Sequence, residues 1–174
     1  MRILVASASK HGATTAIADM IGRVLGADGR DIVTVVPVES APSLSAFDAV
    51  VIGSAVQMGR WLAPARRFVT DHGPELRTKP VWMFSSGPIG DPLKPEGEPP
   101  EALQLRAAIG ARDHRVFAGK LDRSELGIAE RAITAAVKAT DGDFRPWGDI
   151  EAWAAGIARE LAAMAVAEPL GVGS

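Results

Sequence analysis

Ile3-Leu4-Val5-Ala6, followed at once by Ser7-Ala8-Ser9-Lys10-His11-Gly12-Ala13-Thr14-Thr15, is the stretch whose reading decides the fold. The first four residues are short and continuously apolar, as in a parallel strand buried on both faces. From Thr14 to Leu25 the apolar residues Ile17, Ile21, Val24 and Leu25 recur at helical spacing. A loop of small residues therefore joins a strand to a helix. Such a loop turns several backbone N–H groups, the hydroxyls of Ser9 and Thr14, and the positive end of the helix toward one spot. That spot suits a phosphate, and Gly12 lets the backbone approach it closely. By itself the same turn also reads as nothing more than a capped helix start.

Further along, apolar runs recur at Ile32 to Val36, Val50 to Ile52, Val81 to Phe84 and Val116 to Ala118. Between them lie a weak turn at Leu44 to Phe47 and helical stretches at Ala63 to His72 and Glu101 to Ile109. A last helix is expected from Asp149 to about Val166, burying Ile150, Trp153, Ala154, Ile157, Leu161 and Met164. Short apolar strands alternating with helices predict an α/β fold, a doubly wound parallel sheet with right-handed crossovers. Residues 1–166 form one domain on this reading, and 167–174 a flexible tail. Trp82, inside a strand, is expected in the core.

Composition narrows the function classes. The chain has 174 residues, no cysteine, three histidines and a net charge of −2. Without cysteine there is no disulfide framework and no thiolate site. His11, His72 and His114 fall in separate regions without ligand spacing, so no metal site is expected. Both charge signs are spread along the chain, which argues against nucleic-acid binding, since that needs a concentrated basic surface. No apolar run approaches the roughly 20 residues of a membrane span, and no basic leader precedes the first strand, so a cytoplasmic location is expected.

In an open parallel sheet, ligands bind beyond the carboxyl ends of the strands, where the strand order reverses. The third strand is followed by Gly53-Ser54-Ala55-Val56-Gln57-Met58-Gly59-Arg60-Trp61, and the fourth by Ser85-Ser86-Gly87-Pro88-Ile89-Gly90-Asp91. Both segments are built of small residues and glycines without an acidic cluster. They suit the polar edge of a flat ring. A phosphorylated receiver domain would need acidic residues after strands one and three; a Gly-x-Gly-x-x-Gly dinucleotide loop is also absent after the first strand.

These pieces, together with Trp147-Gly148-Asp149-Ile150 and Trp153, make the chain resemble flavodoxin-domain proteins, and within them the menaquinone-dependent protoporphyrinogen oxidase-like group. The resemblance implies a flavodoxin-like five-stranded sheet of order 2-1-3-4-5, with an extra helix before the C-terminal one. It implies FMN as cofactor, its phosphate on Ser9, Lys10, His11, Gly12, Ala13 and Thr14. The flavin ring would lie between Ser54, Ala55, Val56, Gln57, Met58 and Gly59 on one side and Ser86, Gly87, Pro88, Ile89 and Gly90 on the other. No side chain need be catalytic, because the redox chemistry belongs to the cofactor.

Some residues depart from the pattern. The chain has no tyrosine, and Gln57 stands where an aromatic ring partner is expected, leaving Trp61 as a substitute. A deazaflavin in place of FMN stays open. The extra helix, Leu126 to Ala139, carries an apolar stripe of Leu126, Ala129, Ile133, Ala136 and Val137. It lacks the aromatic anchors and basic face of a membrane-surface helix. It is expected to pack on its own domain, or on a second subunit in a homodimer. The function expected is an FMN-dependent oxidoreductase acting on a quinone, porphyrinogen or other small redox substrate. The alternatives are an electron carrier that serves a redox partner protein and a flavin-free binding module.

Overall fold

The computed structural model describes residues 1–87, 97–121 and 142–167. Its elements run β1 (Arg2–Ala8), α1 (Ala13–Leu25), β2 (Ile32–Pro37), β3 (Ala49–Gln57), β4 (Arg60–Trp61), α2 (Ala63–Asp71), α3 (Gly73–Leu76), β5 (Val81–Ser86), α4 (Pro100–Ile109), β6 (Asp113–Phe117), β7 (Lys120–Leu121), β8 (Gly142–Asp143) and α5 (Trp147–Ala167). The main sheet has the order β2-β1-β3-β5-β6, and its successive neighbours are all parallel. Counting only these five strands, this is the expected order 2-1-3-4-5.

Side chains alternate across the central strands and so build two cores. Ile3, Val5, Val51, Trp82 and Phe84 face α1 and α5, packing on Ile17, Ile21, Ile150, Ala154, Ile157 and Leu161. Leu4, Ala6, Val50, Ile52 and Met83 face the other way, onto Trp61, Phe68, Leu76 and Ile109. Each fully buried aliphatic or aromatic side chain contributes about 1.5–3 kcal/mol, so both helical layers are held mainly by the sheet they cover. Trp82 is a core residue, as its place in a strand implies.

The strands of the main sheet run beyond their apolar runs, and at β3 and β6 the extension has a distinct cause. β3 continues through Gly53 to Gln57, because its last residues pair with β4 in an antiparallel hairpin, Val56 opposite Trp61 and Gln57 opposite Arg60. β6 begins at Asp113 instead of Val116. It is an edge strand, and it alternates exposed Arg115 with buried His114 and Phe117, a half-buried pattern that a search for continuous apolar residues misses. The short β7–β8 pair has no counterpart in the apolar pattern either. The expected helix from Leu126 to Ala139 and the tail from 168 onward lie outside the described residues.

Candidate functional site

Register brings three loops to one rim. Ala8 at the end of β1 is level with Ser54 of β3, and Ala55 of β3 is level with Ser86, the last residue of β5. The chain therefore leaves β1, β3 and β5 at neighbouring points, with β1 and β3 flanking the place where strand order reverses.

At the first loop, Gly12 is the residue before α1 and has φ 77°, ψ −13°, a left-handed conformation that other residues adopt only at a cost. No side-chain hydrogen bond caps the helix there. A Cβ on Gly12 would meet nothing within 4 Å, so the start of α1 opens onto free space among the described residues. Uncapped N–H groups at the positive end of a 13-residue helix are the donor set a phosphate dianion requires, and Ser9 to Thr14 fit that group. Lys10, His11 and Gly12 are exposed, Ser9 and Ala13 half-buried, and Thr14 is buried.

The second loop is a tight hairpin. Met58 and Gly59 form its tip, with φ of 50° and 75°. Met58 is 88% exposed, an apolar side chain held in solvent by a backbone conformation it does not favour. Gln57 is exposed, whereas Ala55, Val56 and Gly59 are half-buried. Ser54 is fully buried, and its hydroxyl is used internally, donating to Ala55 O at 2.8 Å and accepting from Leu62 N at 3.0 Å. The start of the third loop packs on the second. A Cβ on Gly87 would lie 3.1 Å from Val56 Cβ. Ser86 is buried and Gly87 half-buried. Pro88, Ile89 and Gly90 lie outside the described residues.

Trp61 does not sit as expected of a ring partner. It is 2% exposed, and its Nε1–H donates to Ser85 Oγ at 2.7 Å. The cause is the hairpin: β4 folds back on β3 and turns the indole into the core beside Phe68 and Leu76. Ser85 has a single hydroxyl hydrogen, which it can give to His114 Nε2 at 2.8 Å while accepting from Trp61. His114 is then neutral with its proton on Nδ1, facing Glu98 Oε1 at 3.6 Å. Burial holds the His114 pKa below its ordinary value, against the upward pull of Glu98. Glu101 braces the hairpin from outside. Its carboxylate accepts from Trp61 N at 2.9 Å and from Arg60 at 3.0 and 3.1 Å.

A further support lies under the first loop. Arg145 Nη1 donates to the Ala13 carbonyl at 3.4 Å, while Nε and Nη2 engage Asp143 at 2.7 and 2.5 Å. The guanidinium carbon lies 4.5 Å from the centre of the Trp147 ring. Neither Arg145 nor Glu101 stands out in the sequence, because each acts across a separation that local spacing does not reveal. The motif Phe144-Arg145-Pro146-Trp147 is the available signal for the first.

Among the described residues no group of His, Asp and Glu is arranged to hold a metal ion, and no helix is long and apolar enough to cross a membrane.

Comparison with known proteins bears on the family and the fold. The family model described as flavodoxin domain matches residues 4–145. No curated protein matches the chain. Among solved structures, a flavodoxin from the domain Archaea is 16% identical, with a TM-score of 0.63, covering 93% of this chain and 99% of that one. A cysteine-to-serine mutant of the flavodoxin from Pseudomonas aeruginosa is 20% identical with a TM-score of 0.61 over the same shares. The rubredoxin oxygen:oxidoreductase of Desulfovibrio gigas has a TM-score of 0.64 at 13% identity, but the match covers 36% of that longer chain and 93% of this one.

Proposed function

Since the chain belongs to the flavodoxin domain family, we propose that it is an FMN-dependent oxidoreductase acting on a quinone, porphyrinogen or other small redox substrate. The observation that carries this reading is the open, uncapped start of α1 at left-handed Gly12, on the same rim as the β3–β4 hairpin and the end of β5. FMN, when bound, supplies the electron-transfer chemistry. What the chain contributes is placement. Backbone N–H groups at the start of α1 would hold the phosphate, and the segments around Val56 to Gly59 and at Ser86 and Gly87 would flank the ring with backbone groups. Ser54 and Ser85 are committed to internal hydrogen bonds, so they brace the rim and do not act as acids or bases. No charged side chain has to change protonation for the reaction to proceed.

The test is reconstitution of the purified protein with FMN, followed by visible absorption and titration of wild type and Gly12→Leu. Binding by wild type and its loss in the variant support the reading. Absence of FMN binding in wild type overturns it. Turnover of the bound flavin with a soluble quinone supports the enzyme. Reduction that passes only to a protein acceptor points to the electron carrier.

A further inference from the structure

We propose that Arg145 is a positioning residue for the phosphate, acting through the Ala13–Thr14 peptide and modulated by its ion-pair partner Asp143. The inference rests on the flavin reading above, because it assigns a role toward the phosphate held at the start of α1. Ala13 is the first residue of α1, and the peptide unit whose carbonyl receives Arg145 Nη1 at 3.4 Å is the one that carries the Thr14 N–H. A cation on the carbonyl end of a peptide polarises its N–H end, and a donor so polarised binds an anion more strongly. The same hydrogen bond fixes the direction in which that N–H points.

The guanidinium is restrained on three sides. Nε and Nη2 are clamped by the two oxygens of Asp143, Asp143 Oδ1 also accepts from Arg145 N at 3.1 Å, and the Trp147 ring covers one face. Its side chain is 10% exposed, so solvent screens its charge less than that of a surface arginine. The clamp keeps Nη1 aimed at Ala13 across 132 residues of chain. Asp143 has a second effect of opposite sign. Its carboxylate, held ionised by the hydrogen bond from Arg145, offsets the positive charge that the phosphate would otherwise feel.

These two effects separate the proposal from a purely structural ion pair. Breaking a structural bridge from either end should weaken every ligand alike. Under the proposal, Arg145→Gln weakens FMN roughly tenfold, Arg145→Lys weakens it less, and Asp143→Asn, whose amide oxygen still accepts from Arg145 and so keeps the clamp while the negative charge is lost, leaves FMN binding unchanged or tightens it a fewfold, more so at low salt. Riboflavin, which has the same ring and no phosphate, should bind all four proteins equally. The experiment is titration of wild type and the three variants with FMN and with riboflavin at low and high salt. The proteins' thermal midpoints in inorganic phosphate supply a readout that does not depend on a flavin. An equal loss for FMN and riboflavin in Arg145→Gln, a loss of FMN binding in Asp143→Asn, or an FMN affinity indifferent to Arg145 overturns the proposal. If wild type binds no FMN, the flavin reading falls by itself. In that event, stabilisation by phosphate in wild type that disappears in Arg145→Gln still supports the positioning role, and its persistence or absence in both proteins overturns it.

Discussion

Phe84 lies across the backbone of Gly53, so close that a Cβ on Gly53 would stand 2.0 Å from the ring atom Cζ. The two residues are register partners on β3 and β5, and the ring occupies the space that a side chain at position 53 would need. Phe84 is fully buried against Phe117 and Trp153, with ring centres 6.3 Å away in both cases, so it has little room to retreat. Gly53→Ala is therefore expected to destabilise the fold by about 1–3 kcal/mol through overpacking. Denaturant unfolding of the variant checks this, and an unchanged midpoint would show that the ring can move aside.

Met58 offers the opposite case, a position where substitution should help. Its φ of 50° costs a non-glycine residue about 1–2 kcal/mol, and Asn or Gly suits a hairpin tip whose two residues both have positive φ. Met58→Asn should raise stability by about 0.5–1 kcal/mol, because the side chain is exposed and little packing is lost. Equal stability of the two proteins would mean that the methionine is not strained in solution.

Acid should weaken the fold through His114. Desolvation lowers its folded pKa below 6.5, Arg106 pushes it further down, and Glu98 and Asp113 pull it up without reversing the shift. As pH falls past about 6.5 the unfolded chain takes up a proton that the folded chain refuses, so stability declines with acidification until the lowered folded value is passed. His114→Gln should abolish that share of the slope. The measurement is unfolding free energy for both proteins at several pH values from neutral to mildly acidic. Parallel curves would refute the assignment.

Glu101 joins β4, α2 and α4, since it takes hydrogen bonds from Arg60, Trp61 N and, at 3.5 Å, Arg66. Glu101→Ala should cost about 1–2 kcal/mol, given that the carboxylate is only partly exposed and one backbone donor loses its partner. The Trp61 amide should exchange its hydrogen with solvent faster in the variant. Unaltered exchange would mean that the hairpin stands without the brace.

The alternation of strands and helices is legible in the sequence because the central strands each carry a continuous apolar run and because the first helix repeats its apolar residues at the right spacing, whereas the strand order rests on the resemblance to flavodoxin-domain proteins. The edge strand reads short because Asp113 and Arg115 interrupt the apolar signal while His114, a polar residue, is the one buried between them. The glycine at position 12 is accounted for by the left-handed turn before α1, which calls for glycine. Trp61 is different, for a physical reason. Its place after a glycine turn says that it lies near the rim, but only the pairing of Val56 with Trp61 tells which way the indole points. The roles of Arg145 and Glu101 on the rim carry no local signature, because Ala13 and Trp61, the groups they reach there, lie 132 and 40 residues away.

That separation of 40 residues also sets an order of events during synthesis. When the β3–β4 segment first leaves the ribosome, the carboxylate that will hold the Trp61 amide is still inside it. The hairpin must wait, unsecured, until α4 follows it out and docks. The neighbouring end of α1 finds β1 and β2 early, but the C-terminal helix that shares its core and its Arg145 prop arrive last. The two sides of the rim thus become complete at different times.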